Sequence, residues 1–298
     1  MEKINDITVI VPTLNEKDGI GLTLDEIMNY VDKENIIVVD GHSNDGTREE
    51  VEKRGVFFFV QSKKGKANAI KEALNYAKND LILIVDGDYT YPAKYIVEMY
   101  KELKNSNNEL DEIIGARDRK NQSIVYRFGN WFLTKFFDIL FGVHLKDVLS
   151  GMYLVKKDAL RGAIFEMKGF SVESEIAAHI SSTGGRIGEV DIQYRERKGK
   201  KKLGIRHGFS IAIDMLRLSW RYNPVTLFFL AGSLLMIPGL IMGIYTVIDY
   251  EYLHIDHFVK ALIALILTAT GFQSLMLAVL STYLRRMEYR IKNYIRGK

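Results

Sequence analysis

Asp86-Gly87-Asp88 is the part of the sequence whose residue types most directly suggest chemistry. Two carboxylates flank a residue without a side chain, directly after the apolar run Leu81–Val85. Such a run, bounded by a turn, reads as a buried parallel strand, and ligands bind where such strands end. Paired carboxylates there form a hard-oxygen site for Mg²⁺ or Mn²⁺, completed by water and a ligand's phosphates. The competing reading is a polar exit from strand to loop. The elements around the pair decide between them.

Those elements alternate. Ile7–Val11 reads as a strand, followed by Pro12-Thr13-Leu14-Asn15-Glu16 and a helical pattern over Gly21–Val31. Asn35–Asp40 is a second strand, ending in the loop Asp40-Gly-His-Ser-Asn-Asp-Gly-Thr47, and a helix begins at Glu49–Lys53. Val56–Val60 is a third strand, and Ala67–Lys78 a helix with Ala69, Ala73 and Ala77 at helical spacing. After the fourth strand, Pro92 opens a helix reaching Leu103. This alternation predicts an α/β fold with a doubly wound, mostly parallel sheet. The loops after strands one, two and four then lie along one edge. Asp40 there can accept hydrogen bonds from a ribose or base edge, whereas Ser43 and Asp45 read as turn-shaping residues. Lys63, Lys64 and Lys66 at a helix start suit an anion. Neither GxGxxG nor GxxxxGK[ST] occurs at these positions, which argues against a dinucleotide fold or a P-loop.

Taken together, Val11-Pro-Thr-Leu-Asn-Glu16, Val39-Asp-Gly-His-Ser-Asn-Asp-Gly-Thr47, Lys64-Gly-Lys-Ala-Asn-Ala69 and Asp86-Gly-Asp88 resemble the family-2 glycosyltransferases of GT-A fold. The resemblance continues through Gly115-Ala-Arg117, Asp147–Gly151 and Gly188–Arg197 with Gly199 and Lys202-Leu203, the pattern of polyprenyl-phosphate (dolichyl-phosphate) sugar synthases. It implies inverting transfer of a hexose or N-acetylhexosamine from a UDP- or GDP-linked donor to polyprenyl phosphate. Pro12, Asn15, Glu16 and Asp40 would hold the nucleotide. Asp86 and Asp88, with Gly87 between them, would hold the metal bridging the donor diphosphate. Arg197 and Lys202 would close over that diphosphate, and Lys66 belongs to the same donor site. Arg117 and Arg127 would face the acceptor phosphate. The sequence departs from the pattern at Lys201, where serine is common, and at Thr90, where a glutamine can be a third metal ligand.

The chemistry is consistent with that set. Charge builds on the leaving diphosphate, where a divalent cation and two basic side chains stabilise it. An alcohol acceptor needs a carboxylate base, but a phosphate monoester, with a second pKa of about 6, arrives mostly ionised. Glu173 and Glu175 occupy the region where wider relatives keep a base. On a strand or loop they share a face, and on a helix they do not. The alternative is a helix N-terminus that favours acidic residues.

The 298 residues fall into two regimes that the overall 47% hydrophobic and 26% charged content hides. Residues 1–205 read as the catalytic domain, 206–223 as a juxtamembrane amphipathic helix, and 224–298 as two membrane helices with a basic tail. Val225–Val247 carries no charge and is long enough for about 30 Å of hydrocarbon, with Pro238 as a kink. A second span covers Phe258–Tyr283, beyond a short, mostly acidic loop at Asp249–His257. Basic residues flank the pair on both sides, so the positive-inside rule places the catalytic domain and the C-terminus in the cytoplasm. Ser123–Phe141 is an aromatic-rich helix, read either as interfacial or as core. The start of the chain shows no signal-peptide pattern, and the absence of cysteine removes thiolate chemistry. The basic run Arg195–Arg206 suits a diphosphate or anionic lipid better than nucleic acid. Membrane lipid is thus an expected partner, nucleic acid is not, and homo-oligomerisation stays open. Three other functions compete. A polysaccharide synthase wants a Gln-x-x-Arg-Trp motif, and Trp220-Arg221 has the reverse order without the glutamine. A non-catalytic scaffold is opposed by the intact acidic and basic set. A nucleotidyltransferase wants a glycine-rich first loop.

Overall fold

The computed structural model describes residues 3–118, 123–165, 167, 171–199 and 205–296. Seven strands form one sheet: β1 (Ile7–Thr13), β2 (Ile36–Asp40), β3 (Phe57–Val60), β4 (Leu81–Val85), β5 (Glu112–Arg117), β6 (Met152–Lys156) and β7 (Ile187–Ile192). Their spatial order is β3-β2-β1-β4-β6-β5-β7. Every residue of β1, β2 and β4 is buried, because helices cover both faces, and this is why these strands read as unbroken apolar runs. The covering helices include α1 (Lys17–Ile27), α2 (Thr47–Glu52), α3 (Lys66–Ala73), α4 (Tyr95–Asn105), α5 (Ile124–Phe141) and α6 (Val172–Ser182). Ala69 and Ala73 of α3 are buried, as their spacing predicts.

All neighbouring strands run parallel except β6, which is antiparallel to both β4 and β5. The sheet is therefore mixed. The segment after α5 delivers Gly151 to the edge where β4 ends, so β6 starts there and runs back. β1 also continues through Pro12 to Thr13, past the point where the proline suggested an end.

One core residue breaks the apolar pattern. Glu112 opens β5 opposite Val155, is 1% exposed, and its Oε2 has no hydrogen-bond partner among the described residues. Burial pushes its carboxyl up from 4.5 to about 8. The folded state therefore keeps a proton that the unfolded chain has released. Stability from this group is fully present below about 4.5 and is lost as pH rises through about 8, at about 1.4 kcal/mol per pH unit inside that window. Glu112→Gln, which mimics the protonated form, is expected to match the wild type near pH 5 and to melt progressively higher as pH approaches 8. The gain is about 2–4 °C per kcal/mol for a unit of this size. A gap between the two melting temperatures that stays constant with pH would show that Glu112 is not protonated in the fold.

The chain divides into two compact units, Met1–Leu216 and Arg217–Lys298. The division falls inside α7 (Ile205–Tyr222) rather than at residue 205. Ile211 and Met215 are buried, and Ser171 Oγ donates to Asp214 Oδ2 at 3.0 Å, so the first turns of α7 belong to the first unit. The second unit holds α8 (Pro224–Leu253) and α9 (Phe258–Arg296). Residues Pro224–Leu253 and Phe258–Leu284 are long and apolar enough to cross a membrane, and few of their residues are buried. The helices touch closely where a Cβ on Gly271 would lie 2.5 Å from the Met236 nitrogen, and Ser274 Oγ donates to the Phe228 carbonyl at 2.8 Å. α8 runs through Pro238 and takes in Asp249–Leu253, so the connecting loop is only 254–257. His257 Nε2 lies 2.8 Å from Asp249 Oδ2 across it.

Candidate active site

β1, β2 and β4 are mutually parallel, so the loops that follow them meet at one edge of the sheet. Two glycines allow the backbone to close there. A Cβ on Gly151 would sit 2.0 Å from Asp86 Oδ2, and one on Gly19 would lie 2.8 Å from the Asp88 carbonyl carbon. Helix α1 thus presses directly on the turn that carries the carboxylates. Thr90, the uncertain ligand of the sequence reading, faces Asp88. Its hydroxyl and its N–H both donate to Asp88 Oδ1, at 2.5 and 3.1 Å. It orients the carboxylate. Among the described residues, no cluster of three or more acidic, histidine or cysteine side chains suits a metal ion.

Each carboxylate meets a built-in cation. Lys66 Nζ donates to Asp86 Oδ1 at 2.5 Å and also to Glu173 Oε1. Arg197 bridges Glu16 and Asp88, with Nη1 lying 3.0 Å from Asp88 Oδ2. Four carboxylates therefore share two cations. Burial works against the Lys66 ammonium, but Asp86 and Glu173 more than offset it and hold it protonated. Burial, reinforced by the Asp86 charge, pushes the carboxyls of Asp88 and Glu173 up despite their basic partners. The edge is left with excess, crowded negative charge, which is what a divalent cation relieves.

Glu173 and Glu175 lie in the first turn of α6 and point apart, as two residues on a helix must. Glu173 is committed to Lys66, while Glu175, fully buried, accepts the Met167 N–H at 2.9 Å. Arg117 takes a position different from the one expected. Its Nε and Nη2 donate to Asp147 at 2.6 and 2.8 Å, and its guanidinium stacks 5.4 Å from the Tyr194 ring. Burial opposes this cation, but Asp147 holds it charged. Arg117 thus ties β5 to the segment before β6 and is not an open acceptor-facing cation. Arg127, by contrast, is exposed on α5. Lys202 lies outside the described residues.

At the other end of the edge, Asp40 is 3% exposed and accepts Ser43 N–H at 2.8 Å and Ser43 O–H at 2.5 Å, so most of its bonding closes its own turn. The β1 and β2 loops are stitched together. Asn15 N–H donates to Ser43 Oγ at 2.7 Å, Asn44 N–H to Asn15 Oδ1 at 2.9 Å, and Glu16 N–H to Thr47 Oγ1 at 2.9 Å. Asp45 accepts from Thr47 and Lys17, in line with its reading as a turn residue. Asn15, Glu16 and Asp40 are therefore joined through these two loops, while Pro12 lies buried in β1 opposite Val39. Sequence reasoning overlooked Glu26, whose carboxylate gathers Tyr89, Ala93 and Arg195. No spacing signal joins residues that far apart in the chain.

The sequence model of the family described as "Glycosyl transferase family 2" matches residues 8–163, more than half of the chain. The chain belongs to that family. The glycosyltransferase is 30% identical to Glycosyltransferase AglJ of Haloferax volcanii, over 92% of each chain. It is 29% identical to a dolichyl-phosphate hexose transferase of the same organism, over 67% of this chain and 87% of the relative. The fold matches a crystal structure of glucosyl-3-phosphoglycerate synthase from Mycobacterium tuberculosis in complex with Mn²⁺, UDP-glucose and phosphoglyceric acid. The TM-score is 0.58 at 19% identity, over 72% of this chain and 79% of that one. This family-2 glycosyltransferase has the GT-A fold: the mixed, mostly parallel sheet with the acidic pair at the end of β4.

Proposed function

We propose that this glycosyltransferase moves a hexose or N-acetylhexosamine from a nucleotide diphosphate to a polyprenyl phosphate, with inversion, at a membrane surface. The observation that carries the acceptor assignment is the engagement of both acidic side chains of α6. Glu173 is held by Lys66 and Glu175 by the Met167 N–H, which leaves neither placed as a general base. A phosphate monoester, largely ionised at neutral pH with a second pKa of about 6, needs none. The relative acting on dolichyl phosphate and the two apolar helices support the same acceptor class.

Pro12, Asn15, Glu16 and Asp40 frame the nucleotide on this reading. Asp86 and Asp88 would hold Mg²⁺ or Mn²⁺. Two carboxylates, a diphosphate and water together make a hard-oxygen set, and the crowded charge at this edge fits a divalent ion. The bound metal supplies neutralisation of charge on the leaving diphosphate. Arg197, joined by Lys202, adds positive charge along that diphosphate. Lys66, at the start of α3, keeps Asp86 oriented. Gly87 lets the turn pack under Thr13 and Ile20, where a Cβ would lie 2.9 Å and 3.0 Å from side-chain carbons. Arg127 stands on α5 among exposed Ile124, Val125, Phe128 and Trp131, a basic residue within an apolar face suited to a lipid phosphate. The basic residues on both flanks of the two apolar helices support a cytoplasmic location for the catalytic unit and the C-terminus.

The test incubates membranes containing the protein with polyprenyl phosphate, Mn²⁺ and labelled UDP-glucose, UDP-N-acetylglucosamine or GDP-mannose. One donor is expected to give an organic-extractable, acid-labile product. Label that enters only a polymer, or no label with any donor, would overturn the acceptor assignment.

A further inference from the structure

The geometry points to Glu26 as a positioning residue that, through Tyr89 and Arg195, fixes Asp88 and Arg197 against each other. This rests on reading Asp88 and Arg197 as the metal and diphosphate groups, and it assigns work to three residues outside that set. Glu26 sits near the end of α1 and is partly buried. Its Oε1 accepts Tyr89 O–H at 2.9 Å and Arg195 Nη1 at 2.9 Å, and its Oε2 accepts Ala93 N–H at 3.2 Å. The Arg195 guanidinium lies 4.5 Å from the centroid of the Tyr89 ring. Backbone bonds finish the connection. Arg195 N–H donates to the Thr90 carbonyl at 2.9 Å, and Lys198 N–H to the Asp88 carbonyl at 3.3 Å. One carboxylate thereby gathers the turn that carries Asp88 and the segment that carries Arg197.

The backbone shows why an anchor is needed. Tyr89 adopts φ +66°, a left-handed conformation unfavourable for a bulky side chain. It is held there by its hydroxyl on Glu26 and by its N–H, which donates to Thr23 Oγ1 at 3.0 Å. Such strain persists only when surrounding contacts over-determine it, and here it sets the direction in which the chain leaves Asp88. An isolated surface ion pair contributes little. Glu26 differs because its oxygens accept three bonds from two segments of chain outside α1. Burial opposes its ionised form, but Arg195, the Ala93 N–H and Tyr89 pull its carboxyl below the ordinary range.

The test compares the full-length wild type in detergent with Glu26→Gln, Tyr89→Phe, Arg195→Gln and the double variant Glu26→Gln/Arg195→Gln. Mn²⁺ binding is followed by the electron paramagnetic resonance of free Mn²⁺ in the presence of UDP or GDP. Donor KM, kcat and the ligand-free melting temperature are measured alongside. Loss of an outer partner is expected to weaken Mn²⁺ binding and raise donor KM by about 10–100-fold in Glu26→Gln, with the melting temperature within about 2 °C of the wild type. Tyr89→Phe should show a smaller loss of the same kind, and the double variant should be no weaker than Arg195→Gln. Mn²⁺ affinity within two-fold of wild type in Glu26→Gln, or a loss that merely follows a falling melting temperature, would overturn the anchor. Wild-type protein that binds Mn²⁺ with nucleotide but transfers no sugar would overturn the proposed reaction and leave the anchor standing. Wild-type protein that binds neither would overturn both.

Discussion

Asp88→Asn is expected to lower sugar transfer by about 10³-fold while leaving the protein folded. The substitution keeps shape and the two bonds from Thr90, since an asparagine oxygen still accepts from Thr90 N–H and O–H as Asp88 Oδ1 does at 3.1 and 2.5 Å. It gives up the ion pair between Asp88 Oδ2 and Arg197 Nη1, while Arg197 keeps its contact with Glu16 through Nη2. What it removes is charge. A metal at a developing anion supplies several kcal/mol, and each 1.4 kcal/mol is about tenfold in rate. Losing half of a two-carboxylate set therefore costs about 10³, comparable with deleting an electrostatic stabiliser in other enzymes. The control is fold stability. Burial and Asp86 push the Asp88 carboxyl up, so a neutral side chain is tolerated there and the melting temperature should not fall. Initial rates with saturating donor and Mn²⁺ decide the matter. A rate within tenfold of wild type would remove Asp88 from the metal site.

The part of this site that could be read from sequence is the part encoded locally. β1, β2 and β4 are buried at every position, so their apolar runs announced both the strands and the edge where Asp40 and Asp86 end. The turn roles of Ser43 and Asp45 were likewise local, because both bond within a few residues or to the adjacent loop. Pairings made by tertiary contact were hidden. Lys66 read as an anion-binding lysine at a helix start, yet the fold sets it between Asp86 and Glu173, 20 and 107 residues away. Arg117 was expected to face the acceptor phosphate, and in the fold its Nε and Nη2 donate to Asp147, 30 residues away. The choice between a strand and a helix decides whether Glu173 and Glu175 share a face, and the sequence left it open. Helix α6 separates them.

The direction of β6 was also hidden, and it matters to the site. Strand–helix alternation implies parallel crossovers, but β6 starts at the catalytic edge and runs away from it. That reversal brings Gly151 against Asp86, where the Asp86 N–H donates to the Gly151 carbonyl at 3.1 Å. It also places the Gly151 N–H on the hydroxyl oxygen of Tyr91 at 2.6 Å, just beyond the Asp86–Thr90 turn. The antiparallel strand therefore braces the acidic turn at Asp86, as α1 does at Asp88. A parallel strand would have entered from the far edge and left Asp86 without that support.

Lys66→Met should destabilise the free protein more than any other single change at this edge. Lys66 lies between Asp86 and Glu173, whose side chains are 31% and 8% exposed, so removing the ammonium leaves two close carboxylates with little water to screen them. Breaking a buried pair from one side costs about 3–5 kcal/mol, which corresponds to about 10 °C in melting temperature for a unit of this size. Two further measurements separate charge from packing. Adding Glu173→Gln to Lys66→Met should recover most of the lost stability, because one uncompensated charge disappears with the cation. Mn²⁺ should raise the melting temperature of Lys66→Met by more than that of the wild type, since a ligand that binds only the folded state stabilises in proportion to its affinity, and the crowded carboxylates attract the ion more strongly. Activity of the double variant should stay low, because its Asp86 has lost the ammonium that orients it. A Lys66→Met melting temperature within about 2 °C of the wild type would show that the lysine is a passive neighbour. The charge excess at this edge would then need another source of relief than the cation at the start of α3.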